Sequence, residues 1–351
     1  MSATLRDVAR EVGMSVATVS RVVNAKTVVS DETRERVLAA IERLAYVPHS
    51  AARSLITSRT STIGVLLPDV HGEFFSELIR GIDIAARRAG FHVLVSGSHS
   101  DLTETEAVLR ALHGRVDGLL LMTPGIGADS LRRNLPRRVP VVLINSVGSV
   151  FDSIRVDNRG GARALVEHLY GLGHRRIAFV RGPASNEEAA ERLLGYREAL
   201  AAHRLPLDPA LELAGDFDED SGYLAGVRLA TFAPRPDAIF AANDSMAIGC
   251  LSALRERGLR VPEDVALAGF DDIPIARYLT PALTSVRVSI AELGGRAMER
   301  LLNAIERGAE GPRRHEVMAT QLVVRASCGA ASATRRVGVG QDPQDPGREK
   351  P

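Results

Sequence analysis

The sequence predicts an α/β protein: two doubly wound lobes built on parallel sheets, preceded by a small all-α headpiece. Three observations lead there. From Thr62 onward, short apolar runs alternate with amphipathic stretches, the rhythm of β-α-β crossovers. The rhythm runs once up to about Val156 and starts again near Asp157, so it describes two similar lobes. Before Thr62 the apolar residues recur at helical spacing only.

The opening stretch, TLRDVAREVGMSVATVSRVVN, is two short helices and a corner. Leu5, Val8, Ala9 and Val12 share one helical face, and Val19, Val22 and Val23 make a second. Thr4 is placed to cap the first helix, with Asp7 completing a capping box. Gly13 can take the positive φ that ends it, and Ser15 can cap the second. This is a helix-turn-helix. Its second helix exposes Ser15, Val16, Ala17, Thr18, Ser20 and Arg21. Ser15, Thr18, Ser20 and Asn24 are short donors suited to phosphates. A third helix opens at Ser30-Asp31-Glu32-Thr33 and buries Val37, Ile41 and Leu44. After Ala45-Tyr46-Val47-Pro48, residues 49–55 read as a short amphipathic helix, too short to be stable alone in water. Residues 58–61 follow as a polar linker.

The first lobe is then read as strand 62–67, helix 74–89 ending at Gly90, strand 92–96, a helix capped by Thr103 with Glu106, and strands 117–122 and 141–144. The second is read as helix 160–172, strand 176–180, helix 189–202, strand 211–214, helix 218–231, strand 238–241, helix 245–257 and strand 265–270. Strand 285–288 and helix 289–307 return towards the first lobe. From Gly329 the chain is Ala, Ser, Gly, Gln, Asp and Pro, with too little apolar surface to order itself. No apolar heptads of a tetramerising coiled coil are present, which favours a dimer.

Composition bounds the chemistry. The 351 residues are 45% hydrophobic and 25% charged, with a net charge of +1, so sizeable cores are possible. Residues 1–60 carry nine basic against six acidic side chains, leaving the remainder slightly negative. A modestly basic headpiece suits salt-sensitive DNA binding. Cys250 and Cys328 have no metal or redox spacing and read as reduced packing residues. The nine histidines are scattered. No phosphate loop, GxGxxG after the first strand, HExxH or GxSxG motif occurs, so no enzyme, cofactor or metal is expected. No run of signal-peptide or transmembrane length is found. The expected location is the cytoplasm, in association with the nucleoid.

The stretches VATVSRVVN and YVPHSAARSL make residues 4–58 resemble the headpiece and hinge of the lactose/galactose repressor (LacI/GalR) family, and the likeness continues over residues 62–328. The resemblance implies a two-lobed clamshell similar to periplasmic sugar-binding proteins, with a ligand in the cleft. It divides the chain into a headpiece (1–48), a hinge helix and linker (49–61), a body (62–328) and a disordered tail (329–351). Within the body, lobe 1 is expected at about 62–156 and 286–315, and lobe 2 at about 157–285 and 316–328. On the DNA side, Val16, Ala17 and Arg21 match the family's base-reading positions, with arginine able to fork onto guanine. Leu55 matches the leucine that wedges into the central base step, beside Ala52. His49 replaces the usual asparagine after the proline. On the effector side, Arg192, Asn243, Asp271 and Phe217 match ligand contacts, Phe74 and Phe75 could close the other side, and Asn145 stands where relatives often have an acid. The expected function is a homodimeric repressor on a palindromic double-stranded operator, controlled by a small-molecule effector and without membrane contact. A sugar is the first expectation for the effector and a nucleobase or nucleoside the second. A solute-binding protein without a regulatory role is the third reading, against which the first sixty or so residues argue.

Overall fold

The computed structural model describes residues 3–23, 29–46, 59–99, 101–135, 139–146, 150–308 and 312–330. Asn24, the hinge with Ala52 and Leu55, and the tail from residue 331 lie outside the described residues. The chain divides into two compact units, residues 1–62 with 114–117, and residues 63–113 with 118–351.

The first unit contains α1 (Leu5–Val12), α2 (Val16–Val23) and α3 (Asp31–Arg43). The capping box at its start is formed: Thr4 Oγ1 accepts from the Asp7 amide at 3.3 Å, and Asp7 Oδ2 accepts from the Thr4 amide at 3.0 Å. Gly13 ends α1 at φ 65°. Ser15 Oγ accepts from the Thr18 amide at 3.1 Å, and Ser30 Oγ from the Thr33 amide at 3.4 Å. Val8, Val12, Val19, Val37 and Ala40 meet in a small core closed by Tyr46. Each buried valine stabilises this unit by roughly 1.5–3 kcal/mol, which matters in so short a segment. Arg36 Nη2 donates to the Val12 carbonyl at 3.1 Å, satisfying an acceptor that the end of α1 leaves free.

The second unit runs β1 (Thr62–Leu67), α4 (Glu73–Arg88), β2 (His92–Gly97), α5 (Leu102–Leu112), β3 (Gly118–Leu121), α6 (Ala128–Asn134), β4 (Val141–Ile144), β5 (Asp152–Val156), α7 (Asn158–Gly171), β6 (Ile177–Val180), α8 (Glu187–Ala202), β7 (Glu212–Leu213), α9 (Glu219–Ala230), β8 (Ala238–Ala241), α10 (Asp244–Glu256), β9 (Ala266–Asp271), β10 (Thr284–Arg287), α11 (Ile290–Arg307), β11 (His315–Met318) and β12 (Gln321–Val323). Two six-stranded sheets result, ordered β11-β5-β4-β3-β1-β2 and β12-β10-β9-β8-β6-β7. β1–β3–β4–β5–β11 are parallel neighbours, as are β7–β6–β8–β9–β10, while β12 joins β10 antiparallel. The central strands are buried on both faces, which is why they read as unbroken apolar runs such as Leu119-Leu120-Leu121 and Ile239-Phe240-Ala241.

The chain passes between sheets three times: after β5, after β10 and after β11. Two lobe boundaries differ from expectation. β10 belongs wholly to the second sheet, so lobe 1 resumes after Arg287 and not at 286. β11 pairs parallel with β5 in the register His315↔Ser153, so the last crossing follows Met318 and not residue 315. The cap of α5 also differs. Asp101, still extended, accepts from the Glu104 amide at 2.9 Å, whereas Thr103 is already inside the helix.

Two helix pairs approach closely because glycines face them. A Cβ on Gly81 in α4 would stand 1.9 Å from the Ala291 carbonyl oxygen in α11, and one on Gly249 in α10 would stand 1.9 Å from that of Glu219 in α9. These contacts fix one helix pair on each lobe.

Candidate functional site

The outward face of α2 presents the first set of residues. Ser15, Val16, Ala17 and Arg21 are exposed, and Thr18 and Ser20 are half-buried. Val16 keeps 43% of its surface open, which leaves an apolar side chain on this face. Ser15 Oγ and Thr18 Oγ1 lie 2.9 Å apart at the N-terminus of α2, where the helix favours an anion. Only Val19 of this helix is fully buried.

The second set lies between the two sheets of the second unit, beyond the carboxyl ends of their strands. A cavity of about 450 Å³ is lined there by Phe74 and Phe75 from α4, Arg192 from α8, Phe217 before α9, Asn243 before α10 and Asp271 at the end of β9. The structure thus brings six of the seven expected residues together. Asn145 is the exception. It sits at the end of β4 and lines a neighbouring hollow instead, because its amide Nδ2 donates to Glu188 Oε1 at 2.5 Å.

Arg192 is the centre of a buried network. Nε donates to Asn158 Oδ1 at 2.8 Å, Nη1 to the Ala242 carbonyl at 2.6 Å, and Nη2 to Asp271 Oδ1 at 3.1 Å. Its guanidinium carbon lies 3.9 Å from the Phe270 ring centre and 5.6 Å from that of Phe217. Three of the five guanidinium N–H groups are committed, which leaves one on each terminal nitrogen for another partner. Arg192 and Asp271 therefore pair with each other, and neither stands as an uncompensated charge waiting for a ligand.

Asn243 is likewise partly occupied. Its Oδ1 caps α10 by accepting from the Met246 amide at 2.9 Å, and its Nδ2 donates to the Phe217 carbonyl at 2.8 Å. It thereby holds Phe217, whose backbone is at φ 78°, so that its ring fills the space in front of Gly182. Phe217 is one of several non-glycine residues with positive φ at this cleft. His99 and Asp271, also lining the cavity, adopt φ 46° and 101°, and Asn145 and Asp272 beside it adopt 52° each. Such conformations are costly, and they concentrate where a site demands them.

Burial pushes the Asp271 carboxyl up to about 6, against the opposing pull of Arg192. Burial pushes Glu188 up to about 7, with Arg192 again opposing and Asp271 adding to the rise. Asp244 is raised well above the usual carboxylate range by burial and by the charge of Asp271, while accepting from Ser285 Oγ at 2.7 Å and the Ile273 amide at 2.9 Å. Sequence reading missed Glu188, Asn158 and Asp244. Glu188 had a signal, since it precedes Arg192 by one helical turn and so shares its face.

Among the described residues no group of His, Cys, Asp and Glu could hold a metal ion, and no helix is long and apolar enough to cross a membrane. A helix-turn-helix unit and a two-lobed body with a ligand-sized cleft define a class: a DNA-binding regulator with a small-molecule domain. The comparisons with known proteins agree. Residues 4–49 match the model of bacterial regulatory proteins of the lacI family, and residues 166–328 that of the periplasmic binding protein-like domain. The catabolite control protein A of Priestia megaterium is 36% identical over 305 residues, covering 86% of this chain and 92% of that protein. The Lac repressor dimer bound to operator and the anti-inducer ONPF superposes with a TM-score of 0.84 at 31% identity, covering 93% and 99%. The complex of the transcriptional regulator CelR with cellobiose gives 0.70 at 34% identity, also covering 93% and 99%. The chain belongs to the LacI family of bacterial transcriptional regulators. Its relatives act by binding DNA and not as enzymes.

Proposed function

We propose that this protein is a homodimeric repressor that binds a palindromic operator through α2 and releases or tightens it when a sugar occupies the cleft. In this reading Ser15, Thr18, Ser20 and Asn24 hold phosphates, while Val16, Ala17 and Arg21 read base edges. Ala52 and Leu55 act in the minor groove. Two copies of α2 related by a two-fold axis require a two-fold site. The protein then works where the chromosome is, in the cytoplasm and at the nucleoid.

The observation that carries the effector reading is the 450 Å³ cavity, with phenylalanine rings facing a network of arginine and carboxylates. Aromatic faces suit the C–H faces of a sugar ring, and the network suits its hydroxyls. The cellobiose complex of CelR supports the choice of a sugar. An effector that favours one arrangement of the lobes by about 3 kcal/mol would change operator occupancy about a hundredfold. The test has two steps. Enrichment of random duplexes on the full-length protein should recover a palindrome. A thermal-shift screen of sugars and purines should then yield a sugar that changes affinity for that palindrome. Recovery of a purine alone would replace the sugar, and the absence of any palindrome would remove the homodimeric operator reading.

A further inference from the structure

The charges around the cleft are one-sided. Asp69 and Glu73 line it from the first lobe, and Asp216, Asp218 and Glu219 from the second. Each has its own local contact. Asp69 Oδ1 accepts from the Val70 and His71 amides, Glu73 Oε2 from the Ile275 amide at 2.9 Å, and Glu219 Oε1 from Ser245 Oγ at 2.6 Å. Asp218 Oδ1 accepts from the Ser221 amide and Asp216 Oδ1 from the Asp218 amide. Among the described residues none of the five forms an ion pair, so their charges stay unneutralised at the cavity wall.

Deeper in, the one arginine that lines the cavity among the described residues is already compensated. Arg192 pairs with Asp271 at 3.1 Å and lies 4.0 Å from Glu188. Among the described residues, the other basic groups of the lining are His71 and His99. Carboxylates accept hydroxyl and ammonium protons well and face an anion badly. A phosphate or carboxylate entering here would meet only the two N–H groups that Arg192 has left, on a guanidinium whose charge Asp271 already offsets.

We infer that the cleft selects uncharged or amino-bearing polyhydroxyl ligands and rejects phosphorylated and carboxylated ones. The inference rests on the cleft being the effector site and adds the charge class of what it takes. Selection is then partly by repulsion, since phosphorylated forms of the right sugar have the same hydroxyls and fail on charge alone.

The test uses the full-length protein and matched sets: glucose, glucosamine, glucose 6-phosphate and glucuronate; galactose with the same derivatives; ribose and ribose 5-phosphate; adenine, guanine and their nucleotides. Melting shifts identify the set that binds, and titration calorimetry measures its members. The uncharged or amino member should bind at least ten times more tightly than its phosphate or carboxylate counterpart. The gap should narrow as salt rises from about 50 to about 500 mM. It should also narrow severalfold in the Asp69→Asn/Asp216→Asn double variant. A phosphorylated or carboxylated member that binds as well as its neutral parent overturns the inference, as does a gap indifferent to both salt and the double variant. If only a nucleobase set binds, the sugar reading falls and with it the polyhydroxyl class, while the charge rule is read from base against nucleotide.

Discussion

Arg192 in α8 donates from Nη2 to Oδ1 of Asp271 at the end of β9 across 3.1 Å, and both side chains are buried. The pair joins two elements of the second lobe through charge. Removing one partner strands the other without water. Asp271→Ala should therefore cost about 3–5 kcal/mol of stability in urea denaturation. Asp271→Asn, which keeps an acceptor, should cost less. A loss below about 1 kcal/mol for the alanine variant would show that water reaches the pair.

Asn243 and Phe217 separate two roles that one side chain carries. Asn243→Asp keeps the acceptor that caps α10 and removes the donor to the Phe217 carbonyl. Asn243→Ala removes both. The alanine variant should lose about 0.5–2 kcal/mol of stability. Both variants should weaken effector binding severalfold, because Phe217 is no longer held at its positive φ. Effector affinity unchanged in Asn243→Asp would mean that the hydrogen bond does not position the ring.

Much of this was legible in the sequence, and the exceptions have physical reasons. The buried parallel strands were plain because both faces are apolar: Thr62–Leu67, Val141–Ile144 and Ala238–Ala241 fall at the expected residues. β5, β11 and β12 were not, because Asp152-Ser153-Ile154-Arg155-Val156, His315–Met318 and Gln321–Val323 carry polar side chains that periodicity assigns to loops. Asp152 and Ser153 are nevertheless buried, held by the Arg314 amide and by His315 Nδ1. The cavity residues were legible through resemblance, residue by residue. What they do to one another was not, since Arg192 and Asp271 are 79 residues apart and their pairing is a property of the folded lobe.

The glycine contacts give a test of the fold itself. In Gly249→Ala the new methyl would press on the Glu219 carbonyl, and in Gly81→Ala on that of Ala291. Backbone cannot yield as a long side chain can, so each helix pair must move apart. Each variant should lose about 1–3 kcal/mol although alanine is the better helix former. Gly171→Ala is the control, because a Cβ there meets nothing within 4 Å. Equal melting temperatures for Gly249→Ala and the control would show that α9 and α10 are not so tightly joined.

On the DNA face, Arg21 is the residue whose loss should depend on sequence. Arg21→Ala should cost about 1–3 kcal/mol on the enriched operator and much less on random duplex of the same length. Binding to both at several salt concentrations separates the roles. An equal loss on both, with a shallower salt slope, would mean that Arg21 contacts phosphate and leaves base reading to Val16 and Ala17.

The bridge between Asn145 and Glu188 predicts a pH dependence. It spans the lobes, from the end of β4 to the first turn of α8. Burial raises Glu188 from the ordinary 4.5 to about 7, so the folded protein holds a proton that the unfolded chain releases earlier. The sign follows: the contribution to stability is complete below about pH 4.5 and is lost as pH rises through about 7. Asp271, raised to about 6, acts in the same direction. Glu188→Gln removes the titration and keeps an acceptor for Asn145 Nδ2. The wild-type protein should lose stability between about pH 5 and about pH 8, and the variant should lose about 2–3 kcal/mol less over that range. The measurement is urea denaturation of both at each pH. Parallel curves would show that Glu188 stays ionised in the folded state, and that its proton has no part in holding the lobes together.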